Sequence, residues 1–120
     1  MTRTLRLGTR RSELATTQSS WVADALRANG SKVELVEITT HGDTSREPLV
    51  VIGGTGVFVS ALRDALLAGD VDLAVHSLKD LPTSPAPGVA LAAVPAREDP
   101  RDVLVAGGRT LAGLPTGARV

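Results

Sequence analysis

Val57-Phe58-Val59-Ser60-Ala61-Leu62-Arg63-Asp64-Ala65-Leu66-Leu67-Ala68-Gly69, followed closely by Asp72-Leu73-Ala74-Val75-His76, decides the fold class. In the first segment Val57, Phe58, Ala61, Leu62, Ala65 and Leu66 recur at the spacing of one helix face, and Gly69 supplies a stop. That predicts a helix from about Val57 to Ala68. The second segment is short and continuously apolar at Leu73, Ala74 and Val75, which suits a buried parallel strand.

The same alternation extends toward the N-terminus. Leu5 to Thr9 reads as a strand. A helix opens at Arg11 or Ser12 and runs to about Asn29, with Leu14, Trp21, Val22, Ala25 and Leu26 at helical spacing and Asn29-Gly30 as its stop. Lys32 to Thr39 alternates and reads as a second strand. His41 to Glu47 is polar and reads as a loop, and Gly53-Gly54-Thr55-Gly56 as a hinge or cover ahead of Phe58. Toward the C-terminus, Leu81 to Gly88 holds three prolines and is an irregular loop. Val89 to Val94 and Val103-Leu104-Val105 read as further strands, and the charged Pro95 to Asp102 as a crossing or hinge. Strands alternating with helices predict an α/β fold with a mainly parallel sheet and flanking helices.

Composition narrows the function classes. Hydrophobic residues make up 42% and charged residues 22%, as in a folded globular chain. No apolar run approaches the roughly 18 residues of a membrane helix, and no signal core follows the basic N-terminus, so a cytoplasmic location is expected. Thirteen basic residues balance thirteen acidic ones, and there is one Trp, one Phe and no Tyr. Neither net charge nor stacking side chains point to nucleic acid. With no Cys, disulfides, thiolate zinc sites and a Cys nucleophile are excluded within these residues. No His and carboxylate set has metal-ligand spacing.

Three stretches carry candidate chemistry. Gly8-Thr9-Arg10-Arg11-Ser12 lies where a strand gives way to a helix. Free N–H groups and the positive end of the helix dipole gather there, and an Arg pair adds donors. It reads either as a carboxylate or phosphate site or as a solvated turn with Ser12 as a simple N-cap, and local sequence leans to the turn. Gly53 to Gly56 lacks the Lys-Ser/Thr ending of a phosphate loop and the spacing of a dinucleotide fingerprint. His76-Ser77-Leu78-Lys79-Asp80-Leu81-Pro82 sits at the carboxyl end of a strand, where open α/β sheets place ligands. Lys79 and Asp80 there are functional candidates, while His76 reads as a hydrogen-bonded structural residue.

At this third stretch the sequence resembles the porphobilinogen deaminase (hydroxymethylbilane synthase) family. Arg6-Leu7-Gly8-Thr9-Arg10-Arg11-Ser12-Glu13-Leu14-Ala15 with Gln18 is similar to the family's opening strand and helix. Thr39-Thr40-His41-Gly42-Asp43 and Arg97-Glu98-Asp99-Pro100-Arg101-Asp102 match two more stretches in order. The resemblance implies a transferase of tetrapyrrole and heme biosynthesis. It would join four porphobilinogen molecules into hydroxymethylbilane with release of ammonia, on a covalently held dipyrromethane cofactor. It implies a type II periplasmic-binding-protein-like fold, truncated here. Residues 1–97 would form most of the first domain, and 98–120 the hinge crossing and start of a second. It makes Asp80 the catalytic residue and Arg10, Ser12, Gln18, Phe58, Ser77 and Lys79 the substrate- and cofactor-binding residues.

The resemblance further implies no metal, no nucleic acid or membrane partner, and a monomeric full-length enzyme. The cofactor Cys would lie outside the chain, which on this reading stops short of the complete site and is inactive alone. Where many members carry lysines around the glycine loop, this chain has Val51, Thr55 and Ser60. Gly42 to Gly56 is expected to cover the cleft beside Phe58 and Asp80. The competing reading is a solute- or effector-binding module of the same architecture. The match at Lys79-Asp80 weighs against it.

Overall fold

A computed structural model describes residues 3–40, 56 and 58–120. The chain divides into two units, Met1–Ala90 and Leu91–Val120. The first carries a three-stranded sheet of order β2-β1-β3, with β1 at Thr4–Thr9, β2 at Lys32–Glu37 and β3 at Leu73–Ala74. Both neighbours run parallel to β1, with Leu5 opposite Val33 and Gly8 opposite Ala74. Among the described residues two helices accompany the sheet, α1 at Glu13–Ala28 and α2 at Ser60–Ala68. The expected α/β class with a parallel sheet is therefore observed. Because β1 and β3 are adjacent and parallel, their carboxyl ends open side by side. Arg10 follows one and His76 the other.

The first crossover forms for local reasons. Ser12 has extended backbone, and its Oγ accepts the Ala15 N–H at 3.3 Å, which relieves one orphan donor of the helix start. Glu13 in the first turn and Arg27 in the last complement the helix dipole. Gly30, at φ 87°, lets the chain reverse into β2 after Asn29 closes the helix. The inward stripe differs from the sequence expectation. Leu14 and Trp21 are 55% and 54% exposed and Ala25 is exposed, whereas Ser19 and Ala23 are buried against the sheet. Small residues let the helix approach closely, and a count of large apolar side chains misses that face. Leu7, Ala23 and Val33 form the core there, with Leu5, Val22, Leu26, Leu73 and Val75 packed against it.

On the β3 side, Leu62 and Val71 are fully buried and close on the backbone of Gly8. A Cβ at Gly8 would lie 3.2 Å from Leu62 Cδ2 and 3.2 Å from Val71 Cγ2, so a larger residue here requires those side chains to give by a few tenths of an ångström. Helix α2 begins at Ser60, three residues later than expected. The Val59 and Ser60 N–H groups both donate to the Gly56 carbonyl, at 3.0 and 2.9 Å, so a turn at Gly56 precedes the helix and carries Phe58. Gly69, at φ 77°, ends it.

Asp72 fastens the sheet at the end away from the site. Its carboxylate accepts the Arg6 backbone N–H at 2.8 Å and pairs with the Arg6 and Arg3 guanidinium groups. Arg6 also reaches the Gly69 carbonyl at 2.7 Å, joining β1, β3 and the end of α2.

Three strand expectations need correction. The strand expected over Asp72 to His76 is the two-residue β3, half-buried rather than buried, although Val75 still donates to the Gly8 carbonyl at 3.4 Å. Val89 to Val94 and Val103 to Val105 form no strand, and nearly all of these residues are exposed. Their composition suits a pleated half-buried surface, but a strand exists only where a neighbour pairs with it. None does so among the described residues. The second unit instead holds turns and a short 3₁₀ segment at Leu111–Gly113, capped by Thr110 Oγ1 accepting the Gly113 N–H at 3.2 Å. The expected loop at His41 to Glu47, the glycines at 53 and 54, Val57 and all but Gly56 of the expected cover lie outside the described residues.

Candidate functional site

The carboxyl ends of β1 and β3 frame a cavity of about 240 Å³. From β1 the chain delivers Arg10 and then Ser12. From β3 it passes Val75, His76 and Ser77 into a 3₁₀ turn at Leu78–Asp80. The Asp80 N–H donates to the Ser77 carbonyl at 2.9 Å, and this tight turn returns the Asp80 carboxylate toward Arg10. Arg10 Nη1 stands 3.9 Å from Asp80 Oδ2, and the guanidinium carbon lies 4.0 Å from the centroid of the Phe58 ring. The ring backs one face of the guanidinium. The two side chains are 17% and 23% exposed, so neither charge is fully screened by water.

Six of the seven residues singled out from sequence line this cavity: Arg10, Ser12, Phe58, Ser77, Lys79 and Asp80. Gln18 stands behind the wall, where its Oε1 accepts the Ser77 hydroxyl at 2.8 Å. That bond ties α1 to the turn bearing Lys79 and Asp80. Ser12 both caps α1 and lines the cavity, so the two local readings of this stretch coexist in one residue.

The structure adds lining residues that the sequence did not single out as site candidates, among them His76, read there as structural. Leu14, Ala15 and Val75 form an apolar part of the wall, and His76 lines it as well. Burial holds the His76 imidazole below its ordinary pKa, Arg10 pushes in the same direction, and Asp80 opposes them. That direction favours the neutral imidazole. Thr9 and Ser19 are fully buried behind Arg10, with Ser19 Oγ donating to Thr9 Oγ1 at 2.8 Å. The signal for Leu14 and Ala15 was their place in the first turn of a helix that follows a strand's carboxyl end. Nothing in the sequence paired residue 9 with residue 19.

Two cationic side chains, Arg10 and Lys79, oppose one carboxylate, Asp80. The first turn of α1 adds its positive dipole end. Such a cavity suits a ligand with carboxylates for the cations and N–H groups or developing positive charge for Asp80. Among the described residues no cluster of His, Cys, Asp and Glu could hold a metal ion, and no helix is long and apolar enough to cross a membrane.

The family model described as porphobilinogen deaminase, dipyromethane cofactor binding domain, matches residues 5–120. Porphobilinogen deaminase 1 of Streptomyces coelicolor is 69% identical over 118 residues, covering 97% of this chain and 37% of that protein. Porphobilinogen deaminase 1 of Streptomyces avermitilis is 75% identical over 103 residues, covering 85% of this chain and 32% of that protein. The porphobilinogen deaminase of Thermobifida fusca is 63% identical over 117 residues, covering 96% of this chain and 37% of that protein. The chain thus spans between 32% and 37% of the length of these curated relatives. A match over nearly every residue, on a chain whose sheet gathers Arg10, Lys79 and Asp80 at one cavity, places it in the porphobilinogen deaminase family.

Proposed function

We propose that the protein carrying this chain is a hydroxymethylbilane synthase, a transferase of tetrapyrrole and heme biosynthesis. It joins four porphobilinogen molecules head to tail and releases ammonia at each step. The observation that carries the reading is Asp80 set 3.9 Å from Arg10 in a cavity also lined by Lys79 and Phe58. Porphobilinogen bears acetate and propionate groups, which Arg10 and Lys79 bind. Ser12 adds a hydroxyl to the same wall. Asp80 accepts the pyrrole N–H and stabilises the cation left on the ring and its methylene carbon when the C–N bond of the aminomethyl group breaks and the nitrogen departs as ammonia. A fixed carboxylate there acts by electrostatic preorganisation.

The donor set also fits a dipyrromethane cofactor, whose carboxylates and pyrrole N–H groups need the same partners. Arg10, Ser77, Lys79 and Asp80 would hold it, with Gln18 fixing Ser77. Bound there, the group supplies the pyrrole α-carbon that starts the chain. The 120 residues contain no Cys, so its covalent attachment point belongs elsewhere in the enzyme. On this reading the 120 residues alone do not turn over porphobilinogen.

The finer assignments follow from the same reading. The first unit belongs to a type II periplasmic-binding-protein-like domain. Residues 1–97 make most of that domain, and 98–120 the crossing into a second. The full-length enzyme is a cytoplasmic monomer that binds neither nucleic acid nor membrane. The test is an enzyme of the relatives' full length that includes these residues, incubated with porphobilinogen. Hydroxymethylbilane formation, with a covalent dipyrrole seen by mass spectrometry, is expected. A correctly folded protein with neither refutes the proposal.

A further inference from the structure

We propose that the buried hydroxyl pair of Thr9 and Ser19 is a positioning device for Arg10, and that it sets affinity for the incoming pyrrole rather than the rate of its reaction. The inference rests on the reading of Arg10 as a carboxylate-binding residue. Thr9 is the last residue of β1 and Ser19 lies in the second turn of α1, and both are 0% exposed. Ser19 Oγ donates to Thr9 Oγ1 at 2.8 Å, and Thr9 Oγ1 donates to the Arg10 carbonyl at 3.0 Å. The Thr9 carbonyl in turn accepts the Ile38 N–H at 2.8 Å. Thr9 is therefore tied to the segment after β2 through its backbone and to α1 through its side chain.

The relay has a direction. A serine inside a helix commonly turns its hydroxyl back to a carbonyl one turn earlier. Ser19 sends its proton to the sheet instead. A hydroxyl has a single proton, so once Ser19 occupies a lone pair of Thr9 Oγ1, the Thr9 proton is left for the Arg10 carbonyl. That bond orients the peptide following Arg10, just past the end of β1. The Arg10 side chain reaches from there to both Asp80 and Phe58. A small rotation of this peptide is amplified along the long side chain, and the guanidinium leaves its place over the ring. The dry surroundings of the two hydroxyls strengthen each bond and make the arrangement unforgiving of loss.

The experiment uses the full-length enzyme, with Thr9→Val, Thr9→Ser and Ser19→Ala made in the parent and in an Arg10→Met background. KM and kcat for porphobilinogen are measured beside thermal unfolding. Thr9→Val, which keeps the side-chain shape, should raise KM about three- to tenfold while changing kcat less than about twofold. Thr9→Ser should restore KM. Ser19→Ala should raise KM by a smaller factor alone and add nothing to Thr9→Val, because it acts through Thr9. In the Arg10→Met background neither substitution should move KM. A lowered unfolding temperature with unchanged KM, or a KM effect that persists without Arg10, overturns the proposal. If Arg10→Met itself leaves KM and cofactor loading at the parent values, it is the underlying reading of Arg10 that fails. Should Thr9→Val not fold, the Ser19→Ala pair in the two backgrounds still decides.

Discussion

Replacing Asp80 with Asn in the full-length enzyme removes one charge and almost no volume, so its effect measures the electrostatic part of the reaction. Asp80 Oδ2 already faces a cation at 3.9 Å in Arg10, which gauges the range over which this carboxylate meets positive charge. At about 4 Å, opposite unit charges attract by roughly 1 kcal/mol in bulk water and roughly 4 kcal/mol at the effective dielectric of a protein surface. The Asp80 side chain is 23% exposed, which places it nearer the second figure. An interaction of about 3 kcal/mol that grows as the substrate becomes cationic corresponds to a loss of roughly 10²-fold in turnover. Asp80→Glu keeps the charge at a shifted position and should retain more activity than Asn. The assay is single-turnover formation of pyrrole adducts by enzyme whose cofactor loading has been verified by mass. A loaded Asp80→Asn enzyme within about threefold of the parent would refute the charge argument, since even the bulk-water limit predicts more than that.

Three other perturbations have expected outcomes. Arg10→Leu should impair cofactor loading or raise KM for porphobilinogen while far-UV circular dichroism stays unchanged, because Arg10 faces a cavity and not the core. Gly8→Ala should destabilise by about 1 kcal/mol or more in denaturant titration, since overpacking against fully buried Leu62 and Val71 outweighs the entropic gain of losing a glycine. An alanine variant at least as stable as the parent would show that the two side chains move aside freely. The Arg6 side-chain and backbone bonds hold the Asp72 carboxyl down to about 2 from its usual 3.8. A depressed acid stabilises the fold above its unfolded pKa, and that contribution fades as pH falls from about 4 through about 2. Asp72→Asn should therefore lower stability at pH 7 and flatten the acid limb, with the gap from the parent closing as pH falls from about 4 through about 2.

Residue types and short-range order determined much of this protein in advance. Helical spacing, the Ser12 cap and the glycine stops placed α1 and α2 to within a few residues. Those signals work because capping and helix periodicity are local, decided by neighbours three or four positions away. The likeness of the stretches at Gly8 to Ser12 and His76 to Pro82 to one family named the cavity's charged residues. Other features depended on what the chain meets in space. Val89 to Val94 and Val103 to Val105 have strand composition, yet they form no ladder, because hydrogen-bond partners lie far away in sequence or not at all. Trp21 and Leu14 look like core and are exposed, while Ser19 and Ala23 look neutral and are buried, since the closeness of α1 to the sheet selects for size over hydrophobicity. Tertiary structure alone set Gly8 under Leu62 and Val71, Gln18 against Ser77, and Ser19 against Thr9. Parallel pairing of β1 with β3, some 65 residues apart in the chain, brought Arg10 to Asp80. A hydroxyl or a guanidinium carries no mark in the sequence of which distant group it will reach, and only the register of that pairing decides it.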